Sequence, residues 1–160
     1  MKRTVFLLAI TLISLSASSQ MIEFRLRGGV NFQRSSSTGS EFSFLPHFGA
    51  SAGVRLSTIG IYGEFLYSTH DKQNWLDPGE YYVPSLIFRY YIFSSVYAEI
   101  GLSYYKLAGD PAGIAMFEYD DKEWGYFAGL GVNFKRFEIG LRTTSPVTSI
   151  QATASIRFSL

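Results

Sequence analysis

The chain of 160 residues contains no cysteine, so no disulfide framework and no thiol-linked lipid anchor is available to it. Its formal net charge is +1, which leaves no broad basic footprint for nucleic acid. Beyond the first twenty residues no apolar run approaches the roughly 20 residues that a membrane-spanning helix needs. These absences remove disulfide-stapled secreted modules, nucleic-acid binders and helical membrane proteins together.

What the chain has instead is an unusual start and many aromatics. Lys2 and Arg3 form a basic beginning, Val5 to Leu15 an apolar centre, and Ala17-Ser18-Ser19 a small-residue cleavage site. That order is a secretory signal peptide, and the apolar centre is too short to anchor. Residues 1–19 are therefore expected to be removed, leaving one domain over 20–160. Eleven Tyr and fourteen Phe lie in a chain with few long apolar runs, as in barrel strands that are apolar on one side only.

The clearest pattern is the stretch from Tyr81 to Leu107. Tyr82, Leu86, Phe88, Tyr90 and Ile92 alternate with positions that include Ser85 and Arg89. Beyond Ser94-Ser95, Val96, Ala98, Ile100, Leu102 and Tyr104 alternate with Glu99, Gly101 and Ser103. Strict period-two alternation in two runs joined by a turn predicts a β-hairpin, with Arg89 across from Glu99 if the turn is Phe93 to Ser95. The same rhythm predicts strands over Ile22–Phe32, Leu45–Leu56, Ile59–Ser68, Glu123–Phe134 and Phe137–Thr144, and from beyond Pro146 to the end. Leu66 is a mild break in its strand. The fold class is all-β, an eight-stranded antiparallel up-and-down transmembrane β-barrel. Short turns at Ser57-Thr58, Ser94-Ser95 and Lys135-Arg136 alternate with the longer loops Gln33–Glu41, Thr69–Gly79 and Ala108–Lys122. Such barrels keep short turns on the periplasmic side, so the long loops are expected outside.

Alternation alone also suits a soluble lipocalin-like barrel with its apolar side inward. Three features favour the membrane form. Glu23, Arg25, Arg27, Arg55, Glu64, Arg89, Glu99, Glu138, Arg142 and Arg157 share one parity, and none is Lys. Buried, paired cations favour the fixed fork of Arg. Most strand glycines share that parity, making room in a narrow interior. Aromatics gather at strand ends, with Tyr67, Tyr82, Tyr104, Trp124 and Tyr126 at one rim and Phe24, Tyr90, Phe134, Phe137 and Phe158 at the other, as interfacial girdles do.

Phe65-Leu66-Tyr67-Ser68, Tyr82-Val83-Pro84, Arg89-Tyr90-Tyr91, Tyr97-Ala98-Glu99-Ile100-Gly101 and Phe137-Glu138-Ile139-Gly140-Leu141-Arg142, in that order, resemble the small outer-membrane β-barrel proteins of Bacteroidetes-type bacteria. These are grouped as PorT-like or porin-family proteins, with OmpA-like eight-stranded barrels as wider relatives. The resemblance implies an outer-membrane location but no single activity, and it carries over no catalytic residue. The chain departs from it at Phe158-Ser159-Leu160, where such barrels commonly finish on an aromatic.

Ser68, His70 and Asp71 contain the residue types of a nucleophile–base–orienter set, but adjacency in a loop does not give the geometry that chemistry needs. His47 is expected as a hydrogen-bonded filler. Asp110, Glu118, Asp120 and Asp121 match no calcium-loop spacing and suit a solvated acidic loop. No catalytic, cofactor-binding or metal site is expected, and no cofactor. The candidate site is a lumen charge network of Arg25, Arg55, Glu64, Arg89, Glu99, Glu138, Arg142 and Arg157. It is expected as a paired layer closing the periplasmic half, below a milder external half with Ser85, Ser103, Tyr105, Phe127 and Thr153 that forms a shallow outward pocket. The functional expectation is a non-enzymatic scaffold whose external loops bind a partner, with outer-membrane lipid and the barrel assembly machinery as further partners. Passive transport of small solutes is the alternative.

Overall fold

The computed structural model describes residues 20–34, 42–70, 79–107, 122–145 and 149–160. Eight strands run in chain order: β1 (Gln20–Arg34), β2 (Phe42–Leu56), β3 (Ile59–His70), β4 (Gly79–Phe93), β5 (Val96–Leu107), β6 (Lys122–Phe134), β7 (Phe137–Ser145) and β8 (Ser149–Ser159). Each pairs antiparallel with its neighbours, and β1 pairs with β8, so the sheet closes into a barrel. Closure leaves no strand edge, which a wall in hydrocarbon requires because lipid cannot satisfy a free backbone group.

The alternation in the sequence becomes inside and outside. Leu26, Ile61, Leu86, Ile100 and Leu130 are each more than half exposed on the outer wall. Glu23, Arg25 and Arg89 are 0–1% exposed in the lumen. A soluble barrel distributes these classes the other way round. Aromatic contacts lie on the outer wall, among them Phe48–Tyr67, Tyr67–Tyr82 and Tyr104–Trp124.

Several expected boundaries move. β1 runs through Gln33, β2 begins at Phe42, β3 includes Thr69 and His70, and β4 begins at Gly79. A span of roughly 9–11 residues crosses hydrocarbon, so strands of 12–15 residues stand above the membrane at the end opposite the short turns. These extensions carry polar side chains that resemble loop composition. They also place Lys106 on the outer face, so not every strand cation is Arg. The β4–β5 turn is Ser94-Ser95 with a bulge between Tyr91 and Phe93, rather than a three-residue turn, and the ladder still sets Arg89 opposite Glu99.

One stretch of that ladder is open. Between Tyr82↔Lys106 and Ser85↔Ser103 no pair forms, while β4 stays paired to β3 through Phe65↔Pro84. Pro84 has no N–H to donate towards β5, which accounts for the gap.

Candidate functional site

The lumen site is built on an absence of side chains. β2 turns Gly49 and Gly53 inward, and a Cβ at Gly53 would lie 2.7 Å from Tyr62 Cα. With β2 so thin, side chains of β1 reach over it to β3 at a constant offset. Arg27 meets Glu64, Asn31 Nδ2 donates to Ser68 Oγ at 2.8 Å, and Gln33 Nε2 lies 2.6 Å from His70 Nδ1.

The charged side chains form one continuous, alternating series. Glu23 pairs with Arg25, Arg25 with Glu138 at 2.9 Å, Glu138 with Arg89 at 2.9 Å, and Arg89 with Glu99 at 2.7 Å. Glu99 continues to Arg142 at 2.9 Å, Arg142 to Glu64 at 2.7 Å, and Glu64 to Arg27. Four acids and four bases thus neutralise one another along the series. Isolated ions could not persist there, since a buried charge is tolerated only when paired and hydrogen-bonded. Arg142 grips both oxygens of Glu64, and the Nε and Nη2 of Arg89 both donate to Glu99 Oε2.

Aromatic faces cover the guanidinium planes. Arg89 lies 3.7 Å from the Tyr97 ring centre, Arg25 4.0 Å from Tyr62, and Arg142 4.5 Å from Phe127. Tyr62 also donates its hydroxyl to Glu23 at 2.7 Å. These tyrosines are members of the site that charge pattern alone does not reveal. Their inward parity and the facing glycines, such as Gly60 and Gly53 around Tyr62, are the signal that could have found them.

The eight expected residues do not form one layer. Arg25, Glu64, Arg89, Glu99, Glu138 and Arg142 belong to the series, joined by Glu23 and Arg27. Arg55 stands apart, stacked 3.7 Å over Tyr91 with its Nε donating to Ser57 O. Arg157 sits 3.7 Å from both Glu23 and Glu138 and donates Nη2 to Lys135 O. Both stand at the short-turn mouth and carry positive charge beyond the balanced series.

The external half differs from the expected shallow pocket. Leu66, Tyr81, Val83 and Tyr105 pack there as a buried apolar cluster, with Tyr62, Ile87 and Phe127 as a second cluster deeper in. Leu66 is thus a component of the plug, not a break in the pattern. His70 meets Tyr81 and Tyr105 edge-on at 5.6 and 5.5 Å. His47 is buried with neither ring nitrogen hydrogen-bonded, so it fills the space over Gly29 without acting as a hydrogen-bonded filler. Ser68 bonds Asn31 and His70 bonds Gln33. Asp71 and the acidic residues Asp110, Glu118, Asp120 and Asp121 lie outside the described residues. Among the described residues no group of three or more His, Cys, Asp or Glu is placed to hold a metal ion.

An inside-out closed barrel with a charged lumen agrees with the family comparison, in which the model of the outer membrane protein beta-barrel domain matches residues 5–136. The chain belongs to that family. Among solved structures it is similar to Neisserial surface protein A (16% identity, TM-score 0.46, covering 89% of this chain and 97% of that one). It is also similar to Ail, the attachment invasion locus protein of Yersinia pestis (15% identity, TM-score 0.44, covering 88% and 99%). No curated protein matches the chain significantly.

Proposed function

We propose that this outer-membrane barrel is a non-enzymatic scaffold that presents its long connections to the cell exterior for binding. The observation that carries the reading is the filled lumen. A neutral series of eight charged side chains, interleaved with one apolar cluster and covered by another, occupies the interior, while the connections of residues 35–41, 71–78 and 108–121 all emerge at one end. An interior spent on packing leaves the loops as the variable surface.

In this reading both termini are periplasmic and residues 1–19 are a leader removed on export. Delivery runs through the barrel assembly machinery, and the chain falls in the PorT-like group of Bacteroidetes-type barrels. Epitope tags inserted within 35–41, 71–78 or 108–121 should be reached by antibody on intact cells. Labelling at Ser57-Thr58 or Lys135-Arg136 instead would invert the topology. The mass of the purified mature protein should start at Gln20, and a retained leader would refute the cleavage.

A further inference from the structure

Among the described residues the outer wall carries an apolar groove. Ala52 pairs with Gly63 and Ala50 lies beside them, so three small residues form a floor across β2 and β3. A Cβ placed on Gly63 would meet nothing within 4 Å. Phe24 and Leu26 of β1 rise on one side, with Phe158 of β8 next to Phe24, and Phe65 and Pro84 rise on the other. The resulting groove has a volume of about 680 Å³.

A second, independent feature lies beside Phe158. Arg157 donates its backbone N–H to Arg136 O at 2.6 Å, which brings the β6–β7 turn against the strand that carries Phe158. Lys135 and Arg136 are exposed at this mouth, and with Arg55 and Arg157 nearby they make it cationic, Arg157 turning its Nη1 inward to within 3.7 Å of Glu23 and Glu138. Glu23 and Glu138, the nearest acids, are buried in the neutral series. At the opposite end the sequence of the connections 35–41, 71–78, 108–121 and 146–148 holds seven acids against one base, Lys72. An anionic headgroup is therefore attracted at one end of the barrel and repelled at the other.

We propose that the groove holds an acyl chain of an anionic phospholipid of the periplasmic leaflet, with its phosphate on the cationic mouth. The leaflet assignment rests on the topology proposed above. An apolar groove in hydrocarbon is filled by something apolar, and the adjacent cations select a lipid rather than another protein wall. A second copy docked on the same face would bring two cationic mouths together, which like-charge repulsion opposes.

The test folds the wild-type barrel in bilayers of phosphatidylcholine and phosphatidylglycerol, with lipid A offered in a parallel sample, and weighs the extracted complex by native mass spectrometry. One phosphatidylglycerol per barrel should be retained in preference to phosphatidylcholine. Filling the groove with Ala52→Phe and Gly63→Leu should remove the retained lipid. Neutralising Lys135→Gln and Arg136→Gln should keep a lipid but lower the preference for phosphatidylglycerol roughly 25-fold, at about fivefold per cation. Circular dichroism and heat-modifiable migration confirm that each variant is folded. Equal retention by the filled variant, no retention by wild type, preference for lipid A, or a dimeric mass would each overturn the proposal. The tag experiment decides topology separately. An inverted barrel that still retains phosphatidylglycerol keeps the binding site and overturns only its leaflet.

Discussion

Arg89 joins the two halves of the charge series, giving two nitrogens to Glu99 and a third to Glu138. Removing it leaves Glu138 with Arg25 and Glu99 with Arg142 but loses three donated hydrogen bonds and the stack on Tyr97, while removing Glu99 leaves Arg89 and Arg142 each with one remaining acid and both stacks in place. Arg89→Met should therefore cost more than Glu99→Gln, within or near the ~3–5 kcal/mol typical of breaking a buried pair. The double variant should cost less than the sum. Unfolding titrations in detergent or lipid give the four stabilities of that cycle, and simple additivity of two neutral changes would disprove the coupling. The parity of the charges was legible in the sequence, and so was Arg89 opposite Glu99, because both follow from counting along one hairpin. The partners of Arg25, Arg27 and Glu64 were not. They are chosen across the lumen, over the glycines of β2, and no local pattern records how the strands are staggered there.

At the level of the strand, β4 is the weak member. Its ladder to β5 is open beside Pro84, between the pairs Tyr82↔Lys106 and Ser85↔Ser103. Pro84→Thr restores an N–H and a residue suited to strands. The new bond should contribute ~0.5–1.5 kcal/mol, partly offset by the ~0.4–1 kcal/mol lost when the unfolded chain regains freedom. The sharper readout is amide exchange, which should slow in β5 at Tyr104, the residue opposite position 84. Unchanged exchange there would show that the gap has another cause. Strand identity was readable from alternation, but strand length was not. Gln33, Thr69 and His70 look like loop residues, yet they pair with the neighbouring strands, and the buried side chains of Gln33 and His70 bond each other. The bulge at Tyr91–Phe93 was hidden because a two-residue turn with a bulge and a three-residue turn give Arg89 the same partner.

For the whole molecule, the filled interior predicts silence in a planar bilayer. Eight strands leave a lumen only wide enough for side chains, and Tyr62, Phe127, Tyr97 and the arginines occupy it here. Sustained ion-passing openings of purified protein would refute this. The closed architecture was legible from eight alternating runs, whereas the plug at the external end was not, because Leu66 reads as a break in pattern until the barrel closes around it. The closing of the sheet has a further consequence for biogenesis. Glu138 on β7 holds Arg25 of β1 and Arg89 of β4, and Arg142 on the same strand holds Glu64 of β3 and Glu99 of β5, so β7 ties the pairs Glu23–Arg25, Arg89–Glu99 and Glu64–Arg27 into one series. A chain ending at Phe134 keeps those three pairs and their charge balance, but without β7 and β8 it leaves β1 and β6 as open edges, whose free backbone groups lipid cannot satisfy. That fragment should remain extractable by alkaline carbonate while the full chain resists. Its stable insertion would contradict the idea. The last strands thus make the barrel its own proofreader, admitting to the membrane only a sheet that can close.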